Sequence, residues 1–359
     1  MLRLTIPNFF LGFESVRAGN GGVCRVARLM AKVLAAERAA GRCRVGGVVL
    51  SDSEPSPELG LDLQYAKGSR AKYVMAINLA LFNYSHFIYD CGGMARSHQW
   101  FPFPRRPNLV FQMGIEAWRG TSHPKQVEAL LRANQRVAIT DYTRSRAGKL
   151  NPALANADLC WLATEAEIAP APLAPAARPN VLILARLDRY KGHEELIRCW
   201  PNVLALVPDA LLTIVGSGPS AAEFRKIAGE MGLTDQQVEF AGFVPEDRID
   251  AYWRKATVFA MPSRGEGFGL VYIEAMRYGL PVIGSIHDAA VEVNINGVTG
   301  YNIDLDRPDE LTERIIRLFR DPVLAARLGA NGVARWNEHF RFSAFRDRFL
   351  TIVRGWVGE

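Results

Sequence analysis

Two glutamates, Glu266 and Glu274, are separated by seven residues in "MPSRGEGFGLVYIEAMRYGLPV", residues 261 to 282, and Gly265, Gly267 and Gly269 fall between Ser263 and Leu270. Glycines just before a helix let backbone approach a ligand, and the free N–H groups of the first turn then face an anion. Glu274 lies four residues after Leu270, on the same helix face, so it sits over the side on which a phosphate at the helix start would lie. Glu266 comes off the preceding turn, and the two carboxylates bracket an anion site. A plainer account makes Glu266 a helix cap and Glu274 a solvated helix residue. It leaves three glycines in five positions unexplained.

A second stretch, "ARLDRYKGHEELI" at 185 to 197, puts Arg186 at the carboxyl end of an apolar run and Lys191 just before a helix beginning near His193. In an open parallel sheet the ligand crevice lies outside those strand ends, where two cations suit a diphosphate. The plainer account pairs Arg186 with Asp188 and leaves Lys191 on the surface. A third stretch, "LLTIVGSGPSAAEF" at 211 to 224, matches much of a dinucleotide fingerprint, with Gly216, Gly218 and Ala221 in its small-residue positions and Glu239 further on. An NAD- or FAD-dependent oxidoreductase is the rival this raises. The fingerprint belongs to the first strand of its domain, whereas here a strand and helix at 181 to 199 precede it.

The elements that must position these residues are legible from Asn180 onward. Apolar runs begin at 181, 211, 238, 257, 280 and 298 and alternate with helical spacing such as Phe224, Ile227, Ala228 and Met231. Strands apolar throughout and separated by single helices mean a parallel sheet covered on both faces. The first half repeats this less regularly, with strands near 45, 86, 108 and 136 and a long helix over Val23 to Ala40 after the first strand. The pattern predicts an α/β chain of two Rossmann-like, doubly wound domains facing across a cleft. Their expected bounds are 1–165 and 180–335, with an Ala- and Pro-rich linker over 166–179 and a final helix over 336–359 that packs back on the first domain.

Of the 43 Lys and Arg in the 359 residues, 21 fall in residues 1 to 167 against 13 Asp and Glu, so the net charge of +6 belongs to the first half. A basic half suits an anionic partner such as lipid headgroups, a phosphorylated acceptor or nucleic acid, and an excess this modest equally suits a solvated surface. The nearest membrane candidate, "YVMAINLALFNY" at 73 to 84, is short and broken by Asn78 and Asn83. Without a signal-peptide pattern at "MLRLTIPNFF", a cytoplasmic protein is expected, peripheral on the inner face of the membrane if at all. The five cysteines contain no C-x-x-C pair and indicate neither a disulfide framework nor a zinc site.

The motifs "RLDRYKG", "IVGSGP", "GFV" at 242 to 244 and above all "EGFGLVYIEA" resemble those of the retaining glycosyltransferases of family 4, which have the two-domain GT-B fold. The resemblance covers the second half almost continuously and is thinner in the first, where it rests on "GNGGVCRVARL" and "MGIEAW". It implies transfer of a hexose with retention, from a UDP- or GDP-sugar to a saccharide or lipid-linked saccharide acceptor, in bacterial polysaccharide or lipopolysaccharide synthesis. No metal, other cofactor or nucleic acid is implied. Arg186 and Lys191 would neutralise the donor diphosphate, and Glu266 would bond hydroxyls of the transferred sugar. Val244 would meet the base, Glu274 the ribose, and the N–H groups of Phe268, Gly269 and Leu270 the phosphate and sugar oxygens. Gly267 belongs to the same turn, Gly216 would line the crevice, and Gly21 and Gly22 would face the phosphates from the other domain.

One position departs from the pattern. Many relatives carry His-Gly where this chain has Met113 and Gly114, which raises two possibilities: His98 or Asp90 acts on the acceptor instead, or the chain binds a nucleotide sugar without transferring it. "DLD" at 304 to 306 resembles a metal-holding Asp-x-Asp, but its place before a helix makes it a turn and helix start. "QWFPFPRRP" at 99 to 107 suits either a headgroup or acceptor contact or a rigid surface loop.

Overall fold

The computed structural model describes residues 7–19, 21–98, 104–118, 120, 122–172 and 176–358. Residues 1–6 of the first apolar run and 99–103 of the aromatic, proline-rich loop lie outside the described residues. The chain divides into two compact units, one of Met1–Leu162 with Phe342–Glu359 and one of Ala163–Arg341.

Unit 1 contains strands β1 (Asn8–Phe13), β2 (Arg44–Val49), β3 (Gln64–Tyr65), β4 (His86–Tyr89), β5 (Asn108–Gln112), β6 (Gln135–Ala138) and β7 (Asp158–Leu159). Its helices are α1 (Gly22–Ala39), α2 (Arg70–Ala80), α3 (Gly92–Ala95), α4 (Pro124–Arg132) and α5 (Asp141–Leu150). All strand pairs are parallel, in the order β3-β2-β1-β4-β5-β6-β7. Leu11, Phe13, Phe87, Ile88, Leu109 and Phe111 are fully buried, as a sheet covered on both faces requires. The run at 73 to 84 forms most of α2, whose buried Asn78 donates to the carbonyls of Val74 and Ser97. Among the described residues no helix is long and apolar enough to cross a membrane.

Unit 2 contains strands β8 (Asn180–Leu184), β9 (Leu211–Val215), β10 (Val238–Gly242), β11 (Val258–Ala260), β12 (Val282–Ser285) and β13 (Gly300–Ile303). Helices α6 (His193–Leu206), α7 (Ala221–Glu230), α8 (Asp250–Lys255), α9 (Leu270–Arg277), α10 (Ala290–Val293), α11 (Pro308–Arg320) and α12 (Pro322–His339) alternate with and follow them. These strands are again all parallel, in the order β10-β9-β8-β11-β12-β13. Counted within each unit, both orders begin 3-2-1-4-5-6. Neighbouring connections therefore diverge between the first and fourth strands, and ligands bind at such a switch point.

Two features differ from the sequence reading. The helix expected over 336–359 is instead the end of α12 and a separate α13 (Phe342–Val357), which belongs to unit 1. The break falls at Phe340, fully buried within unit 2 and packed edge-on against Phe268 at 6.0 Å. The stretch expected as a free linker is tied to unit 2 at several points. Arg277 donates to the Ile168 carbonyl at 3.0 Å, and Arg178 donates to the carbonyls of Asp209 and Ala210.

Candidate functional site

In unit 2 the switch point lies between β8 and β11, so the segments that follow them flank it. These are the segments holding "RLDRYKG" and "PSRGEGFGL". Their backbones touch. Gly192, with φ of 90°, caps α6, and a Cβ there would lie 2.5 Å from the Pro262 carbonyl oxygen. The Arg264 N–H donates to the Tyr190 carbonyl at 2.9 Å.

Across this junction Lys191 Nζ forms an ion pair with Glu266 Oε2. The two side chains are only 14% and 19% exposed, so this is a largely dehydrated pair. Burial opposes the Lys191 charge, but Glu266 and Tyr190 outweigh it and hold the ammonium pKa above its usual value. The Nζ also lies 4.9 Å from the centre of the Tyr190 ring. Glu266 therefore does not cap α9: Gly269 is the capping residue, with φ of 80° and no side-chain cap bond. Arg186 follows the plainer account, its side chain 70% exposed and paired with Asp188 at 3.3 Å.

Asp288, which sequence reasoning missed, lies under this turn. Its carboxylate accepts from the Ser263 hydroxyl, from the Glu266 N–H at 3.4 Å and from the Ala290 N–H at 2.8 Å. The Ala289 N–H donates to the Glu266 carbonyl at 3.1 Å, closing a ring of bonds around the glutamate. Burial pushes the Asp288 carboxyl up to about 7, against the bonds from Ser263 and Ala290. A lone Asp in "SIHDAA", 22 residues after Glu266, carries no sequence signal for this contact.

Glu274 stands on α9, one turn after Leu270, and both are half-buried. The Phe268 side chain points into the core, so only its backbone can meet a ligand. Gly267 and Val244 are half-buried, the latter after β10 beside Phe243, which is 69% exposed. Gly216, with φ of 137°, packs so closely on the Ala185 carbonyl that a Cβ would clash, and a Cβ on Gly218 would lie 2.6 Å from backbone atoms of Leu187. The glycine turn is thus required by its contact with the loop after β8. Glu239 faces Thr213 across the β10–β9 pairing, and its carboxylate lies 3.5 Å from the Thr213 hydroxyl. The first strand, β8, carries the lysine loop instead of a fingerprint, so the dinucleotide reading is not favoured.

Gly21 and Gly22 open α1 in unit 1, where a Cβ on either would meet nothing within 4 Å. The switch point of unit 1 lies between β1 and β4, where the Glu14 N–H donates to Asp90 Oδ2 at 2.8 Å. Asp90 is fully buried, and burial pushes its carboxyl well above the usual range. His98 is held at both ring nitrogens, with Nε2 2.9 Å from the Arg106 carbonyl and Nδ1 2.9 Å from the Tyr89 hydroxyl. A carbonyl only accepts, so Nε2 carries the proton and Nδ1 accepts from Tyr89. Met113 donates its N–H to Glu116 at 2.5 Å, and Gly114, at φ of 135°, leaves room for the Trp118 ring.

His287, Asp304 and Asp306 bring donor atoms within 4.8 Å of one another. Protein groups already engage them: His287 Nε2 lies 3.0 Å from Asp304 Oδ1, and Arg264 pairs with Asp306 at 2.9 Å.

The family model described as glycosyl transferases group 1 matches residues 165–335. A GDP-mannose-dependent alpha-(1-6)-phosphatidylinositol monomannoside mannosyltransferase of Mycolicibacterium smegmatis is 35% identical over 211 residues, 54% of this chain and 55% of that one. The Beta vulgaris sucrose synthase is 28% identical over 196 residues, 49% of this chain and 26% of that one. The match spans about half the length of the first of these curated relatives. Among solved structures, sucrose-phosphate synthase of Thermosynechococcus elongatus superposes with a TM-score of 0.77 at 22% identity, over 98% of this chain and 99% of that one. Anabaena HepE, solved with UDP and glucose, gives 0.79 at 16%, over 98% and 100%. The fold is thus α/β with two parallel-sheet, Rossmann-like domains, in agreement with these GT-B structures.

Proposed function

We propose that this chain is a glycosyltransferase that moves a hexose, with retention, from a UDP- or GDP-sugar to a saccharide or lipid-linked saccharide. The observation that carries the reading is the Lys191–Glu266 pair across the switch point of the unit that matches the family model. A bound diphosphate competes for Lys191. The cation then turns from the carboxylate to the phosphate, and Glu266 accepts hydrogen bonds from hydroxyls of the sugar. Arg186, tethered to Asp188 near the same strand end, adds a second cation. The N–H groups of Phe268, Gly269 and Leu270 take phosphate or sugar oxygens at the start of α9.

As the bond to the anomeric carbon breaks, negative charge grows on the leaving diphosphate. Lys191, Arg186 and the helix start stabilise it, an electrostatic effect of the kind that dominates many enzymes. No metal enters this scheme. Glu274 bonds the ribose, and Val244 meets the base through its backbone. Gly216 supports the crevice wall. The enzyme acts at the cytoplasmic face of the membrane, in polysaccharide or lipopolysaccharide synthesis. The phosphatidylinositol monomannoside in the names of the mannosyltransferase relatives supports a lipid-borne acceptor, and the basic half of this chain supports contact with an anionic membrane.

Incubation with a panel of UDP- and GDP-hexoses tests the reading. One donor releases its nucleoside diphosphate, and Glu266→Ala lowers that release about a thousandfold, as loss of a principal transition-state partner does. Unchanged release in the variant contradicts it.

A further inference from the structure

A second candidate site is in unit 1. A cavity of about 970 Å³ is lined there by Glu14, Leu50 and Cys91, which follow β1, β2 and β4, and it extends to residues of α2, α3 and α4. Glu14 and Cys91 stand at the carboxyl ends of the two strands that flank the reversal in strand order, the place where open α/β sheets bind ligands. The volume is at the upper end of small-molecule sites, roughly 300–1,000 Å³.

Its charge is one-sided. Arg70, Arg96, Arg105, Arg106, Lys125 and Arg132 line it, against Glu14 and Glu128. Glu128 is already paired with Arg132 one helical turn away. These cations come from α2, from the chain after α3, from the segment before β5 and from α4, elements far apart in sequence. Like charges brought to one concavity repel and raise the local concentration of anions. Glu14, exposed after β1, and the half-buried Gln126 amide offer hydrogen-bonding groups suited to hydroxyls.

We propose that this cavity binds a phosphate-bearing polyol, with the phosphate among the arginines and lysine and the hydroxyls toward Glu14. That this ligand is the acceptor rests on the transferase reading above; the anion pocket does not. A phosphate on a soluble sugar and a phosphodiester of a lipid headgroup share this chemistry.

Calorimetric titration of the full chain with glucose 6-phosphate and with glucose tests the soluble form. Sedimentation with phosphatidylcholine vesicles, with and without phosphatidylglycerol, tests the lipid form. The double variant Arg96→Ala/Lys125→Ala changes two exposed side chains, and its melting temperature reports whether the fold is kept. The expected result is at least tenfold preference for the phosphorylated probe in one of the two arms, lost in the variant. UDP or GDP affinity stays unchanged in that variant. Equal binding of phosphorylated and neutral probes in both arms overturns the proposal, as does a preference that survives in the folded variant. Should no nucleotide bind while the phosphate preference holds, the transferase reading fails and the pocket stands. A variant that loses nucleotide affinity in step with the phosphate preference makes the cavity a nucleotide site and also overturns the proposal.

Discussion

The two sheets share one strand order up to the sixth strand, yet their switch points are built differently. In unit 2 the diverging loops are locked together by Lys191 and Glu266, by Gly192 on Pro262 and by Asp288 beneath the turn. In unit 1 the bond from the Glu14 N–H to Asp90 joins the corresponding loops, beside an open cavity with a basic lining. Topology fixes where a ligand can bind, and the side chains there decide which ligand it is.

The glycines give the sharpest contrast and the largest expected effect. Gly216→Ala puts a Cβ into the Ala185 carbonyl at a φ of 137° and is expected to destabilise unit 2 by about 3 kcal/mol or more. Gly21→Ala has the same kind of backbone, φ of 94°, but open space, and costs about 1 kcal/mol. Chemical denaturation of both variants checks this, and equal losses would break the comparison.

A smaller effect separates two buried titratable groups of unit 2. His193 is fully buried, and burial holds its pKa down to about 4. Its folded pKa lies below the ordinary value of about 6.5, so its contribution to stability is lost as pH falls through that window. Asp288, at about 7, lies above the ordinary value of about 4, so its contribution is lost as pH rises from about 4 to 7. The two slopes oppose each other. His193→Phe should leave stability falling between pH 4 and 6.5, and Asp288→Asn should leave it rising, as melting temperatures across that range would show. Parallel profiles in the two variants would contradict the assignment.

The smallest change falls in unit 1. Tyr89→Phe removes the hydroxyl donor to His98 and should lower stability by about 1 kcal/mol. It should leave transfer unchanged, because His98 is held as a structural residue at both nitrogens. A large loss of activity without loss of stability would instead give the histidine a part in the chemistry.

The sequence made the unit 2 site legible because its parts are local: glycines before a helix, a lysine at a strand end, carboxylates at helical spacing. Whether Arg186 pairs with Asp188 or stands free is a matter of rotamers, and both accounts fitted the same letters. Asp288 escaped because its contacts with Ser263 and Glu266 are tertiary. The edge strands β3 and β7 have two residues each, too few to show a period. "IVGSGP" looked like a ligand loop because a tight backbone approach needs glycine whether the neighbour is a phosphate or the chain itself. The cavity of unit 1 gathers its cations from four separate parts of the chain, and no spacing announces it.

The central claim is that the switch point of unit 2 holds the diphosphate of a sugar nucleotide through Lys191. Calorimetric titration of wild type and Lys191→Ala with UDP and GDP tests it most directly. Wild type binds one of them, and the variant binds it at least tenfold more weakly, roughly the 1.4 kcal/mol or more expected for a charge-assisted bond to phosphate. Equal affinity in the two proteins, or binding of NAD in place of either nucleotide, would contradict the account.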